Sequence, residues 1–331
     1  MRVRWAAKPA LRHQSHGEET GFLDRLLIKS QKNRPDFNRR MFDEDFARVL
    51  IYSNRRSGEL FTLDTNDQKL SDRLLGNVQT RYGPHPVDET IYELVEEIAR
   101  SLVWFGAAYY YLHDNAEKDE VQVASFATDR MFRCLGLYFQ YLPKRSRSHW
   151  DKEDEVLPRE IRVLDKTKLM YFRLPRFIEK ILNNQNKTLA TLDKYHGAST
   201  DFFPHATHDN PNPVNYFDFR VWNETVDLAL YRATRRTGWS GRKYGSSKKS
   251  DFFDCYRLIK FRRNQITLRD QILLQLSDEL SRVGRCYNPE FRLTISATSA
   301  LPSIGELDEL SEKLTREEVG FSEIIDFCFK R

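Results

Sequence analysis

The densest chemistry in the sequence lies between Arg232 and Arg263. Eleven cations, Arg232, Arg235, Arg236, Arg242, Lys243, Lys248, Lys249, Arg257, Lys260, Arg262 and Arg263, stand against Asp251 and Asp254, a local charge of +9. Trp239 and Tyr244 interleave with them. Such a run suits contact with a phosphate backbone without sequence readout. The candidate DNA-binding set is therefore Arg232, Arg235, Arg236, Arg242, Lys243, Lys248, Lys249, Lys260, Arg262 and Arg263. A solvated hairpin and an acidic protein partner remain alternatives. His205, His208 and Asp209, in Pro204-His-Ala-Thr-His-Asp-Asn-Pro, are residue types that bind zinc or a nuclease metal if further ligands converge. Against that stands the Pro- and Asn-rich context, in which paired histidines are ordinarily solvated.

Other constellations read as structure. Glu93, Glu96 and Glu97 lie opposite Ile91, Leu94 and Ile98 on a helical wheel, which makes them a polar face rather than an acid and base pair. Tyr109, Tyr110 and Tyr111 could stack bases on a sheet. Alternation, however, turns Tyr110 away from its neighbours, as expected of core packing on two faces. No GxxxxGK[ST], HExxH, GxSxG or strand-to-helix GxGxxG motif occurs, so neither an enzymatic role nor a cofactor is expected. Cys134, Cys255, Cys286 and Cys328 lack CxxC or CxxH spacing and are expected to be free, mostly buried thiols.

These residues need a scaffold, and the composition supplies one. With 331 residues, 40% hydrophobic, 13% aromatic and 31% charged, the chain has enough apolar surface for a core and is no disordered or collagen-like sequence. The apolar run Leu102 to Leu112 is too short to span a bilayer, so no membrane association is expected. The N-terminus lacks the apolar stretch of a signal peptide, and a cytoplasmic protein is expected.

Residues 1–40 are rich in Lys and Arg, reading as a basic arm with a small helical segment over 1–84. After Gly83-Pro84-His85-Pro86, Asp88 is placed as an N-cap, and Ile91, Leu94, Val95, Ile98, Leu102 and Phe105 predict a helix stopping at Gly106. Strands are predicted at 107–112, 121–126, 137–142, 159–164 and 168–174, with His113 to Glu120 a loop and a short helix beginning near Phe177. Phe219, Trp222, Val226, Ala229, Leu230 and Ala233 predict one helix. Phe252 through Val283, at near-heptad spacing, predict a second approaching about 50 Å at ~1.5 Å per residue. A strand at 291–296 follows. Ser303 and Glu306 form a capping box, and Ser322 is placed as the cap of a last helix. The fold class is α+β. The organisation is an N-terminal segment (1–84), a helix-plus-sheet domain (85–203), a long antiparallel helical hairpin with a basic tip (204–286) and a C-terminal strand with helices (287–331).

This order of elements resembles a tailed-bacteriophage portal protein. The resemblance rests on Ile98-Ala-Arg-Ser-Leu-Val-Trp-Phe-Gly-Ala-Ala-Tyr-Tyr-Tyr-Leu112, similar to the portal pattern of a helix ending at a glycine before an aromatic strand. It continues through Val121 to Phe126, Leu137 to Pro143 and Ile161 to Pro175, the two helical stripes, and Asn288 to Phe327, covering about residues 85–331. Gly238 to Ser250 is short for a portal clip, and the chain is shorter than most of the family. The resemblance implies a wing-like first domain and stem-like helices. It also implies a ring of identical subunits, a dodecamer by the family's pattern, at one capsid vertex of the virion, assembled in the host cytoplasm. Its partners would be double-stranded DNA, the terminase large subunit, and capsid and tail or adaptor proteins. A nucleic-acid-binding protein of a defence system or mobile element, or a metal-dependent nuclease, would use the same residues differently.

Overall fold

The computed structural model of the chain describes residues 2–10, 22–29, 37–50, 59–76, 86–115, 120–144, 159–201, 219–241 and 251–329. In chain order the first elements are β1 (Arg2–Ala7), α1 (Phe22–Leu27), α2 (Phe37–Phe46), β2 (Phe61–Thr65), α3 (Gln68–Gly76) and α4 (Val87–Phe105). Strands β3 (Ala107–Asn115), β4 (Glu120–Ser125), β5 (Met131–Cys134), β6 (Leu137–Leu142), β7 (Glu160–Leu164) and β8 (Leu169–Arg173) follow. The chain continues with α5 (Arg176–Asp201), α6 (Phe219–Ala233), α7 (Asp251–Gly284), β9 (Leu293–Ala297), α8 (Ile304–Thr315) and α9 (Phe321–Phe329). The fold is α+β.

Two units emerge, each assembled from three separated stretches. The first takes Met1–Arg34, Ser57–Leu174 and Arg269–Ala300, the second Pro35–Arg56, Pro175–Leu268 and Leu301–Arg331. Every strand described belongs to the first, and the second is helical where it is described. The chain passes from the second to the first within α7.

In the first unit, strands form sheets of order β1-β7-β6-β5, β4-β3-β8 and β2-β9. Helix α4 buries Ile91, Leu94, Val95, Ile98 and Leu102 as the spacing predicts, together with Ala99, while Phe105 is only half-buried. It stops at Gly106, whose φ of 75° is left-handed and whose N–H donates to Leu102 O at 2.8 Å. Strand β3 leaves at once. Tyr109 and Tyr111 join Phe126, Met131, Tyr138, Leu164 and Leu169 in one apolar cluster, while Tyr110 meets Phe172 edge-on at 5.8 Å. All three tyrosines are buried, as alternation requires of a strand covered on both faces.

Helix α7 seals two sheet edges in this unit. Ser277 Oγ accepts from Ile295 N and Ser281 Oγ from Leu293 N, both at 2.9 Å, on the side of β9 that β2 does not occupy. Gln275 brackets Arg173 of β8, accepting from its N–H at 2.9 Å and donating to its carbonyl at 3.1 Å.

Several local expectations need correction. Asp88 does not cap α4. Pro86 holds the cap position, and the Asp88 carboxylate instead accepts the N–H groups of Leu60 and Phe61 at 3.0 and 2.9 Å. The loop between β3 and β4 is shorter than read, because Asp114 and Glu120 remain in register with Val121 and Asn115. Helix α5 is not short; it runs 26 residues. Strand β9 starts at Leu293, since Phe291 N donates to Asn288 O in a turn. Helix α9 already includes Ser322 in its first turn. The N-terminal stretch contains two strands beyond those the sequence pattern predicts. β1 pairs in parallel with β7, and β2 lies antiparallel to β9. Gln140 clasps Ala10 through both backbone groups, at 2.8 and 3.0 Å. All four cysteines are free, but only Cys255 and Cys328 are buried.

Candidate nucleic-acid interface

The second unit positions the basic residues. Helix α2 is held at both ends by side chains from elsewhere in the unit. Asp193 of α5 accepts from Asn38 N at 2.9 Å and Arg39 N at 3.2 Å, taking up free donors of the first turn. Gln265 of α7, fully buried, donates to Asp45 O at 2.8 Å in the last turn and to Arg48 O at 2.7 Å beyond it. Trp239 packs edge-on against Phe42, with its indole N–H donating to Asp45 Oδ2 at 3.0 Å.

The turn after α6 is thereby fixed on α7. Thr237 Oγ1 donates to Gln185 of α5. Asn264 Nδ2 donates to Thr237 O at 3.1 Å and Lys260 O at 3.0 Å. Gly238 has φ 85°, and a Cβ there would stand 2.4 Å from Arg257 O and 2.7 Å from Phe261 N, so the turn's backbone lies directly on the helix.

The eleven cations counted in the sequence do not play one role. Arg257 is 3% exposed. Its guanidinium donates to Thr234 Oγ1 at 2.7 Å, to Tyr231 O at 3.3 Å and to Trp239 O, and lies 4.3 Å from the centroid of the Tyr231 ring. This arginine fastens the hairpin. Arg262, half-buried, donates to Gln265 Oε1 at 2.8 Å. Arg263 forms a fork with Asp308, at 2.7 and 3.3 Å, which raises its pKa and balances its charge.

Arg232, Arg235 and Arg236 are exposed on the last turn of α6 and the residues after it, and none has an acidic partner among the described residues. Lys260 is half-buried beneath that turn, its Cβ only 3.2 Å from where a Gly238 Cβ would be. Burial lowers the Lys260 pKa, and Arg235, Arg257 and Arg236 push it down further, because like charges crowd the ammonium. The arrangement can attract and hold an anion.

Arg242, Lys243, Lys248 and Lys249 lie outside the described residues, as do His205, His208 and Asp209. Among the described residues no three His, Cys, Asp or Glu side chains are grouped to hold a metal, and no helix is long and apolar enough to cross a membrane. Sequence reasoning missed Asn264 and Gly238, which position the basic turn, and Gln265, which holds the end of α2. Of these only Gly238, beside Trp239 in a Gly/Ser-rich stretch, carried a local signal.

No family model matches the chain, and no curated protein does. Among solved structures it is similar to a chain of the "virion of native gene transfer agent (GTA) particle", with a TM-score of 0.41 and 11% identity over 85% of this chain and 83% of that one.

Proposed function

We propose that this protein is a non-enzymatic structural subunit of a phage-like particle, of portal type, whose basic turn faces double-stranded DNA. The observation that carries the reading is the concentration of Arg232, Arg235 and Arg236 at one fastened turn, with Lys260 of α7 beneath it. A conduit must hold duplex loosely, which calls for phosphate electrostatics without base readout. The sequence resemblance adds the order of elements: a helix stopped by glycine before an aromatic strand, a 34-residue helix, and a strand-and-helix return. In this reading the subunits close into a ring at a capsid vertex and dock a terminase and tail or adaptor proteins.

The test is the solution mass, by light scattering on a size-exclusion column at moderate and high salt. A salt-resistant particle of roughly ten or more subunits is expected, because packing in a closed ring survives screening. A monomer or dimer that binds duplex in a salt-dependent way would favour the second reading, a small nucleic-acid-binding protein. The same basic turn supports that alternative.

A further inference from the structure

We propose that Lys260, Arg235 and Arg236 together form a single oxyanion site that holds one phosphate group of a nucleic-acid backbone. The inference rests on the reading of the basic turn as a DNA-facing surface and narrows it from a diffuse patch to one shared contact.

Position separates these three cations from the rest: Arg235 and Arg236 stand on the turn itself and crowd the Lys260 ammonium, whereas Arg232 lies before it, within α6. Arg257 and Arg263 already have dedicated partners, in the hairpin's own backbone and in Asp308. Lys260 sits half-buried under the turn that carries Arg235 and Arg236. That turn has little freedom to spread its charges apart. Gly238 presses on the α7 backbone, Gly238 N donates to Thr234 O at 2.8 Å, Asn264 ties down Thr237 O, and Arg257 ties down Thr234 and Trp239. A cation half removed from water among like charges is unfavourable while empty, and a bound anion relieves it. Two guanidinium forks and an ammonium exceed what one carboxylate needs, whereas they match a phosphate with its several acceptor oxygens. The fastened turn also means that little ordering entropy remains to be lost on binding.

One shared phosphate makes a different prediction from three independent contacts. The full-length protein is titrated with a fluorescent blunt duplex at a series of salt concentrations, and the slope of log K against log salt is read. Neutralising one phosphate contributes about 0.9 to that slope. Lys260→Gln should lower the slope by about 0.9 and weaken binding roughly 3- to 10-fold near physiological salt. The Arg235→Gln/Arg236→Gln pair should do the same, and the triple variant should fall no further than either. Lys313→Gln, at an exposed lysine of α8 outside the candidate set, should leave the slope unchanged. Thermal melts identify any variant that has unfolded, and Lys260→Arg, which keeps the charge, should retain the slope.

Inorganic phosphate at matched ionic strength should displace duplex from the wild type more effectively than from the triple variant. If phosphate binds the wild type and the duplex slope ignores all three residues, the site serves free phosphate and the backbone assignment is overturned. Slopes that add across variants overturn the single site but leave a DNA-facing surface. Displacement by poly-glutamate with none by phosphate assigns the site to an acidic protein and overturns the proposal. A ring-sized particle that binds no duplex overturns the site and leaves the ring.

Discussion

Asp43, on α2, is 1% exposed, and its Oδ1 has no hydrogen-bond partner among the described residues. Burial pushes its pKa up to about 7; Arg39, 3.7 Å away, pulls it down and Glu44 pushes it up. The folded form therefore holds a proton that the unfolded chain, with an ordinary carboxyl near 3.8, has released. The stability this contributes is complete below the unfolded pKa and is lost as pH rises through about 7. Asp43→Asn, which stays neutral, should abolish this loss: urea midpoints at pH 5 and pH 8 should converge in the variant. The wild type should be weaker at the higher pH by at most about 3 kcal/mol, since only the two pH units below a pKa of about 7 lie inside this window, at ~1.4 kcal/mol each. Equal pH dependence in both proteins would show that Asp43 is not the group responsible. Nothing in Met41-Phe-Asp-Glu-Asp-Phe46 distinguishes this aspartate from Asp45, which accepts from Trp239. The cations were equally indistinct in the sequence: charge counting treats Arg257 and Arg235 alike, and only tertiary packing buries one and exposes the other.

Elements were legible where one apolar face repeats and a glycine or capping residue ends it. Helices α4, α7 and α8 follow that rule, with Gly106, Gly284 and the Ser303–Glu306 capping box at their ends. Helix α5 escaped because its buried stripe, Ile178, Leu182, Gln185, Leu189 and Asp193, contains two polar residues. Those two hydrogen-bond to Thr237 and to the first turn of α2, so their burial is invisible without their partners. Strand β1 escaped because it is a sheet edge exposed along nearly its whole length, and β2 because only Phe61 of its five residues is buried. Two predictions belong at this scale. Gly238→Ala places a methyl group against the α7 backbone at a left-handed φ and should cost about 2 kcal/mol or more. A thermal melt should shift down, and duplex affinity should fall with it as the turn lifts away. Undiminished affinity would mean that turn placement is irrelevant to binding. Ser277→Ala with Ser281→Ala leaves the amides of Leu293 and Ile295 without acceptors, at about 1–3 kcal/mol each. Hydrogen exchange at those two amides should accelerate more than at the other amides of β9, and unchanged exchange would show that water had already replaced the serines.

For the molecule as a whole, the serial segmentation suggested by composition and the interleaved units of the fold are different kinds of information. Runs of charge and proline mark where the chain changes character. Which stretches assemble is decided by pairings that no local window contains, such as Asp193 with α2, Gln265 with Arg48, and Phe61 with Ala297. The particle mass tests function at this scale because a ring is a property of surfaces, which neither periodicity nor motif records. The pairing of β2 with β9 has a further consequence for how the protein is made. Phe61–Thr65 leaves the ribosome without its partner strand and waits until Leu293–Ala297 has been translated, on the order of 10–50 s at usual elongation rates. Its open edge is a standing invitation to other nascent chains throughout that interval. Slow elongation or crowded polysomes should therefore harm the yield of this protein more than that of one folding from neighbouring segments.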